Sequence, residues 1–183
     1  IWRGLDVPRG IGISFAERYL QPTSRSQVII AQCSEGATSI YEWQPAGGLY
    51  ARCQEIITNI QRDYPTAQLA GILFWQGERD ATTAAGPYVP WADLFQHTMR
   101  GFRQWYGDNQ LPVIYCQLGL DSQPVQYPNW SDVKIQQANV YLSYSAMVRT
   151  DDITDVADSV HFGAAGLAEI GRRMHTAYQG LIQ

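Results

Sequence analysis

The sequence predicts an α/β fold, a three-layer α/β/α sandwich built on a parallel sheet, and three observations carry that prediction. Short apolar runs alternate along the chain with stretches of helical periodicity, the order expected when helices cross between parallel strands. The run 69–74 is apolar throughout, without the every-second-residue pattern of a half-exposed strand. A strand covered on both faces has that character. The run then breaks abruptly into Trp75, Gln76, Gly77 and Glu78, a polar turn just beyond the carboxyl end of a buried strand, where open α/β sheets hold their ligands.

Taken in order, residues 1–10 read as irregular, and Ser14 with Glu17 three residues on forms a capping box for a helix over 15–20 that stops before Pro22. The β-branched run 28–31 predicts a short buried strand, followed by a loop of small residues over 33–39. Pro45, Gly47 and Gly48 make a turn, and Tyr50, Cys53, Ile56, Ile57 and Ile60 recur at helical spacing within a helix over 49–62. After the central strand come turn-forming residues 81–87 and a helix over 88–105, with Trp91, Leu94, Phe95, Phe102 and Trp105 on one side. A strand over 111–116 admits Pro112 at its entry, where a missing donor is tolerated. A loop rich in Pro and Asn leads to a helix over 132–144 with Ser131 as its cap. A strand over 146–149, an acidic loop over 151–158 leading to His161, and a helix over 164–181 complete the chain. Strands joined by crossover helices run the same way, so the loops 33–39, 75–80, 117–130 and 150–162 should share one rim. The opening helix has no strand before it.

At 183 residues the chain reads as a single domain, 1–183, able to bury a substantial core. Only 13 Lys and Arg against a net charge of −4, with no basic stripe, argue against a nucleic-acid partner. No apolar run is long enough to span a membrane. Cys33, Cys53 and Cys116 match no zinc pattern and read as buried free thiols. No second His or Cys approaches ligand spacing around His161, so a metal site is not expected. Six Trp and eleven Tyr exceed what a core of this size requires, a surplus found where sugars or flat ligands bind and also in plain cores.

Two stretches could carry chemistry. Asp158-Ser-Val-His161 can bring a carboxylate to one imidazole nitrogen if the loop folds back as a turn, leaving the other nitrogen as a general base; an acidic surface loop with a chance histidine reads the same. Around Gly36 the loop 33–39 offers backbone N–H groups to a developing oxyanion, and Gln76 can add a side-chain donor. Glu78 either tunes His161 or is buried against loop amides. Trp43, Trp75 and Trp130 stand near the rim, where they would suit sugar stacking.

Together these stretches resemble the SGNH hydrolase superfamily, and within it the branch of sialate O-acetylesterases and plant carbohydrate acetylesterases. Gly10-Ile-Gly-Ile-Ser-Phe-Ala16 resembles the family's helix opening G-x-x-x-S-F-A, and Gly36-Ala-Thr-Ser-Ile-Tyr-Glu-Trp43 its G-G-T-S-I-x-E-W loop. Phe74-Trp-Gln-Gly-Glu-Arg-Asp-Ala81 is similar to W-x-Q-G-E-x-D-A with the tryptophan one place closer to the glutamine, and Asp158-Ser-Val-His-Phe162 matches D-x-x-H-(F/L). The resemblance implies a flavodoxin-like sheet and acetyl esters of sugars or polysaccharides as substrates, cleaved without a metal or organic cofactor. It implies a Ser-His-Asp triad with His161 as base, Asp158 as its orienting partner, and Gly36 and Gln76 as oxyanion donors. Glu78, Trp75 and Trp43 would then face substrate.

One departure stands out. The family's nucleophile lies in a G-Q-S-N-type block after the first, central strand, and no such block occurs in these 183 residues. The strand and its serine are therefore expected outside them, in an N-terminal segment or a second polypeptide. Ser34 and Ser39 are the remaining candidates within the chain. The alternative is a catalytically inactive carbohydrate-binding protein on the same scaffold.

Overall fold

The computed structural model describes residues 10–20, 27–85, 88–120 and 125–183. The reading of 1–9, the stop at Pro22 and the middle of the 119–130 loop lie outside the described residues. The elements run α1 (Ile11–Leu20), a 3₁₀ turn (Ile40–Trp43), α2 (Gly48–Asp63), β1 (Ile72–Phe74), a second 3₁₀ turn (Thr83–Ala85), α3 (Trp91–Tyr106), β2 (Val113–Cys116), α4 (Trp130–Ala138), β3 (Ser145–Val148) and α5 (Ala164–Ile182).

The three strands form a parallel sheet in the order β1-β2-β3, with Ile72 opposite Val113 and Val113 opposite Ser145. Alternate side chains go to opposite faces of a strand, and the core divides accordingly. Ile72, Phe74, Val113, Tyr115 and Met147 face α2, α3 and α4 through Tyr50, Cys53, Trp91, Phe95, Met99 and Val133. Leu73, Ile114, Cys116, Ala146 and Val148 face α1 and α5 through Phe15, Tyr19, Ile170, Met174 and Tyr178. Helices on both faces make this the expected three-layer α/β/α fold. Phe95 and Met99 are fully buried, each stabilising the α3 layer by about 2–3 kcal/mol relative to exposure. Trp91 stacks on Phe95 with centroids 4.9 Å apart.

Three predictions are corrected. The run 28–31 takes no regular secondary structure and joins no sheet among the described residues, and Ile29 and Ile30 are 39% and 42% exposed. Its β-branched residues favour extended backbone, yet a strand needs a neighbour to bond. α1 begins at Ile11, so Ser14 lies inside it rather than capping it; the capping box sits instead at Ser39 and Glu42, at the start of the first 3₁₀ turn. α4 spans Trp130–Ala138 with Asn129 as its cap, shorter at its far end than the spacing suggests. The chain after it descends to β3 through Tyr144, whose φ of 49° is not helical.

Candidate active site

β1, β2 and β3 run parallel, so their carboxyl ends deliver the segments 75–80, 117–120 and 149–162 to the same rim. The polar turn after β1 is built around Asp80, which is fully buried. Its carboxylate accepts from Ser39 Oγ (2.5 Å), from the Ile40 amide (3.0 Å) and from Gln76 Nε2 (2.6 Å). Burial pushes the Asp80 carboxyl up from its ordinary value, while Ser39, Gln76 and the Ile40 amide pull it back down. The second proton of Gln76 Nε2 goes to Thr38 O (2.8 Å), and its Oε1 accepts from Trp91 Nε1 (3.0 Å). Gln76 thus joins the loop 33–39 to the end of β1 and to α3, with both amide protons engaged. An oxyanion would have to exchange for one of those bonds.

Gly77 links this knot to the next. Its φ of 148° belongs to glycine, and a Cβ there would lie 3.0 Å from Gln137 Nε2. Gln137, fully buried on α4, donates to Gln76 O (3.1 Å) and accepts from the Leu118 amide (2.8 Å), tying the β1 and β2 loops together. Beyond Gly77 the Glu78 carboxyl is pushed up by burial. The amides of Glu78 and Gly77 and the charge of His161 oppose that rise. Glu78 thus lies against loop amides and within electrostatic reach of His161.

The loop after β3 folds back on itself, Val156 bridging antiparallel to Phe162 and the Ala157 amide donating to His161 O (2.8 Å). Inside that turn Asp158 Oδ1 accepts from the amides of Val160 (2.9 Å) and His161 (2.8 Å), and Asp158 Oδ2 lies 2.7 Å from His161 Nδ1. Those two amides, more than the imidazole, hold the Asp158 carboxyl down at about 2. One carboxylate thus shapes the turn with one oxygen and orients the ring with the other. His161 Nε2 carries no hydrogen bond among the described residues, and the side chain is 71% exposed. Phe162 packs on Trp75 with centroids 5.3 Å apart, seating the turn against the end of β1.

The structure therefore gathers Asp158, His161, Glu78 and Trp75 on one side of the rim, and Gln76, Asp80 and the Gly36 loop beside them. Two expectations change. The residue in the left-handed region is Ala37 (φ 58°), not Gly36, and Gly36 has open space where a Cβ would stand. Trp43 is 7% exposed and donates its indole N–H to Thr38 Oγ1 (3.0 Å), and Trp130 is 2% exposed. Both are packing residues that brace loops and present no face to a sugar. Asp80 had no role in the sequence reading. Its signal was the i, i+4 spacing from Gln76 within the same motif. Among the described residues no three His, Cys, Asp or Glu side chains cluster as a metal ion would need.

The family model described as carbohydrate esterase, sialic acid-specific acetylesterase, matches residues 7–180. The chain belongs to this family. No curated protein matches it in sequence. A protein of known structure from Arabidopsis thaliana superposes with a TM-score of 0.78 at 19% identity, covering 98% of this chain and 71% of that one. A carbohydrate acetylesterase from Xanthomonas citri superposes with a TM-score of 0.67 at 19% identity, covering 93% of this chain and 40% of that one. The fold is thus that of SGNH-type esterases. In this member of the family the Asp158–His161 turn and the Gln76–Asp80 knot stand on the same rim of the sheet.

Proposed function

We propose that the protein removes acetyl groups from carbohydrates by acyl transfer through a serine. The Asp158–His161 pair carries this reading: an imidazole oriented through Nδ1 and open at Nε2, on the rim of a parallel sheet, is a general base awaiting a hydroxyl. The serine Oγ attacks the acetyl carbonyl while His161 Nε2 takes its proton. His161 then returns the proton to the departing sugar oxygen. Water, activated by the same nitrogen, releases acetate from the acyl-serine. The oxyanion is held by amides of the Gly36 loop and by Gln76 once substrate displaces one of its present acceptors. Glu78 and Trp75 flank the sugar.

The serine itself is proposed to come from a segment or second polypeptide outside these residues. Two features support that placement: β1 lies at an edge of the sheet formed by the described residues, and the run 28–31 joins no strand among them. A further strand would pair with the edge of β1. A second reading, a carbohydrate-binding protein without catalysis, is favoured by the candidate serines within the chain. Ser39 Oγ is bonded to Asp80, and Ser34 Oγ accepts from Gln32 Nε2 (3.0 Å).

Hydrolysis of 4-nitrophenyl acetate and of acetylated sugars by the purified protein, with intact mass under denaturing conditions measured on the same sample, decides between the two. We expect activity only where a serine-bearing segment accompanies the 20.6 kDa chain, and its loss in His161→Ala with the circular dichroism unchanged. Equal turnover in His161→Ala refutes the esterase assignment. Sugar binding without hydrolysis by the complete assembly establishes the second reading.

A further inference from the structure

Along the flank of α3 lies a cleft of about 420 Å³ that the proposed chemistry does not use. Its α3 residues, 97–105, stand roughly 9–21 Å along the helix from Trp91, which bonds to Gln76. Gly101 shapes the cleft: a Cβ there would stand 2.8 Å from Pro45 Cγ and 3.0 Å from Tyr50 Oη. The missing side chain lets the Pro45 turn and Tyr50 close against α3. His97, Arg100 and Gln104, exposed at i, i+3 and i+7 of one helical face, line the cleft beside them, and Trp105 adds a partly buried indole. Two of these groups have bonding capacity to spare. Tyr50 is 5% exposed and its ring stacks on Phe102 with centroids 4.2 Å apart, yet its hydroxyl makes no hydrogen bond among the described residues. Arg100 pairs with no carboxylate among the described residues, and its Nη2 donates to Gln96 Oε1 (3.2 Å), which steadies the guanidinium on the helix.

We propose that this cleft is a second carbohydrate-binding site, and that it takes a sugar residue whose ring carries a carboxylate, a uronate unit. The free donors of the Arg100 guanidinium answer the carboxylate. The Trp105 indole offers an apolar face to the C–H side of the pyranose ring. The Tyr50 hydroxyl, the Gln104 amide and the His97 imidazole answer the ring hydroxyls, and a hydroxyl on a side chain as buried as Tyr50 finds its partner in whatever fills the cleft. A neutral sugar would leave the guanidinium unanswered, and an inorganic anion would leave the indole and the hydroxyl-bonding groups unused. The net charge of −4 repels anions from the chain in general, so an acidic sugar is retained only where a cation and bonding groups converge. This inference takes from the proposed function only that the ligand is a carbohydrate.

Isothermal titration calorimetry of the native protein with trigalacturonate and with the neutral galactose trisaccharide tests this. We expect trigalacturonate to bind about tenfold more tightly than the neutral sugar, or better. Arg100→Gln should weaken trigalacturonate binding by a similar factor. Arg62→Gln, the same charge change at an exposed position of α2, should leave it unchanged. Both arginines are exposed, so neither replacement disturbs the core. Trp105→Ala should weaken both sugars, and the arginine pair decides by itself if that variant fails to fold. No binding of trigalacturonate, equal binding of the neutral sugar, or equal loss in the two arginine variants overturns the proposal. Acetyl ester hydrolysis is measured on the same complete assembly: trigalacturonate binding without hydrolysis removes the esterase reading alone, and hydrolysis without that binding removes this one alone.

Discussion

Asp158 shows how much one side chain decides at this rim. Its carboxyl is held at about 2, below the ordinary 3.8, chiefly by the amides of Val160 and His161. A depressed carboxyl contributes stability that is complete above the ordinary value and is lost as pH falls through the folded one. Relative to Asp158→Asn, the wild-type protein should have a higher Tm at pH 5, and the advantage should vanish as pH falls from about 4 to about 2. An advantage independent of pH would assign the turn to something other than the carboxylate. Ala37 is the opposite case, a residue the turn tolerates at a cost. A Cβ in the left-handed region costs roughly 1–2 kcal/mol, part of which glycine's greater freedom when unfolded offsets. Ala37→Gly should therefore raise stability by about 0.5–1 kcal/mol in urea unfolding, and Gly36→Ala, with open space at its Cβ, should change it far less.

At the scale of elements, α1 packs closely on α5 at Gly171. A Cβ on Gly171 would stand 2.5 Å from Ile11 O and 2.7 Å from Ser14 Cβ, so backbone would have to move to admit it. Phe15, Tyr19 and Tyr178 form an aromatic cluster beside that crossing, with centroids 5.5–5.9 Å apart. Prising the helices apart would loosen those contacts as well. Gly171→Ala should cost roughly 1–3 kcal/mol, measured by chemical denaturation. A cost near zero would mean that α1 adjusts freely on α5. Crossings of this kind leave little trace in periodicity. Helical spacing marks which residues face inward, whereas Gly171 matters because of what a different helix places above it. The same reason explains Ser14: its capping box with Glu17 is locally valid, but the helix that packs on α5 begins three residues earlier, at Ile11.

For the molecule as a whole, the edge that β1 leaves unpaired among the described residues is the feature that matters most. Ile72 donates to Pro112 O across to β2 (2.8 Å), and neighbouring residues on a strand turn their amides to opposite sides, so the Leu73 amide points away from β2. Its hydrogen should exchange orders of magnitude faster than that of Ile72 in the 183-residue chain. Protection of Leu73 should appear when a serine-bearing strand is supplied. Strong protection of Leu73 in the chain by itself would mean that the edge is already paired and would remove a support for the external serine.

Taken alone, the sequence determined the layers, the rim and the order of helices and strands from α2 onward. Apolar runs and helical spacing are local properties, and each is dictated by which neighbours along the chain must be buried together. It also marked Gln76, Asp158 and His161, because polar residues that interrupt apolar runs at strand ends are visible in one dimension. Tertiary structure decided what those residues bond to. Asp80 became the anchor of the rim because the fold brings Ser39 and Ile40, some forty positions away, onto its carboxylate. Trp43 and Trp130 became packing residues because the core closes over them, and Arg52 reaches back from α2 to the carbonyls of Cys33 and Ser34. The run 28–31 failed to become a strand for the same physical reason: extended backbone is a local preference, whereas a strand exists only where another one satisfies its hydrogen bonds.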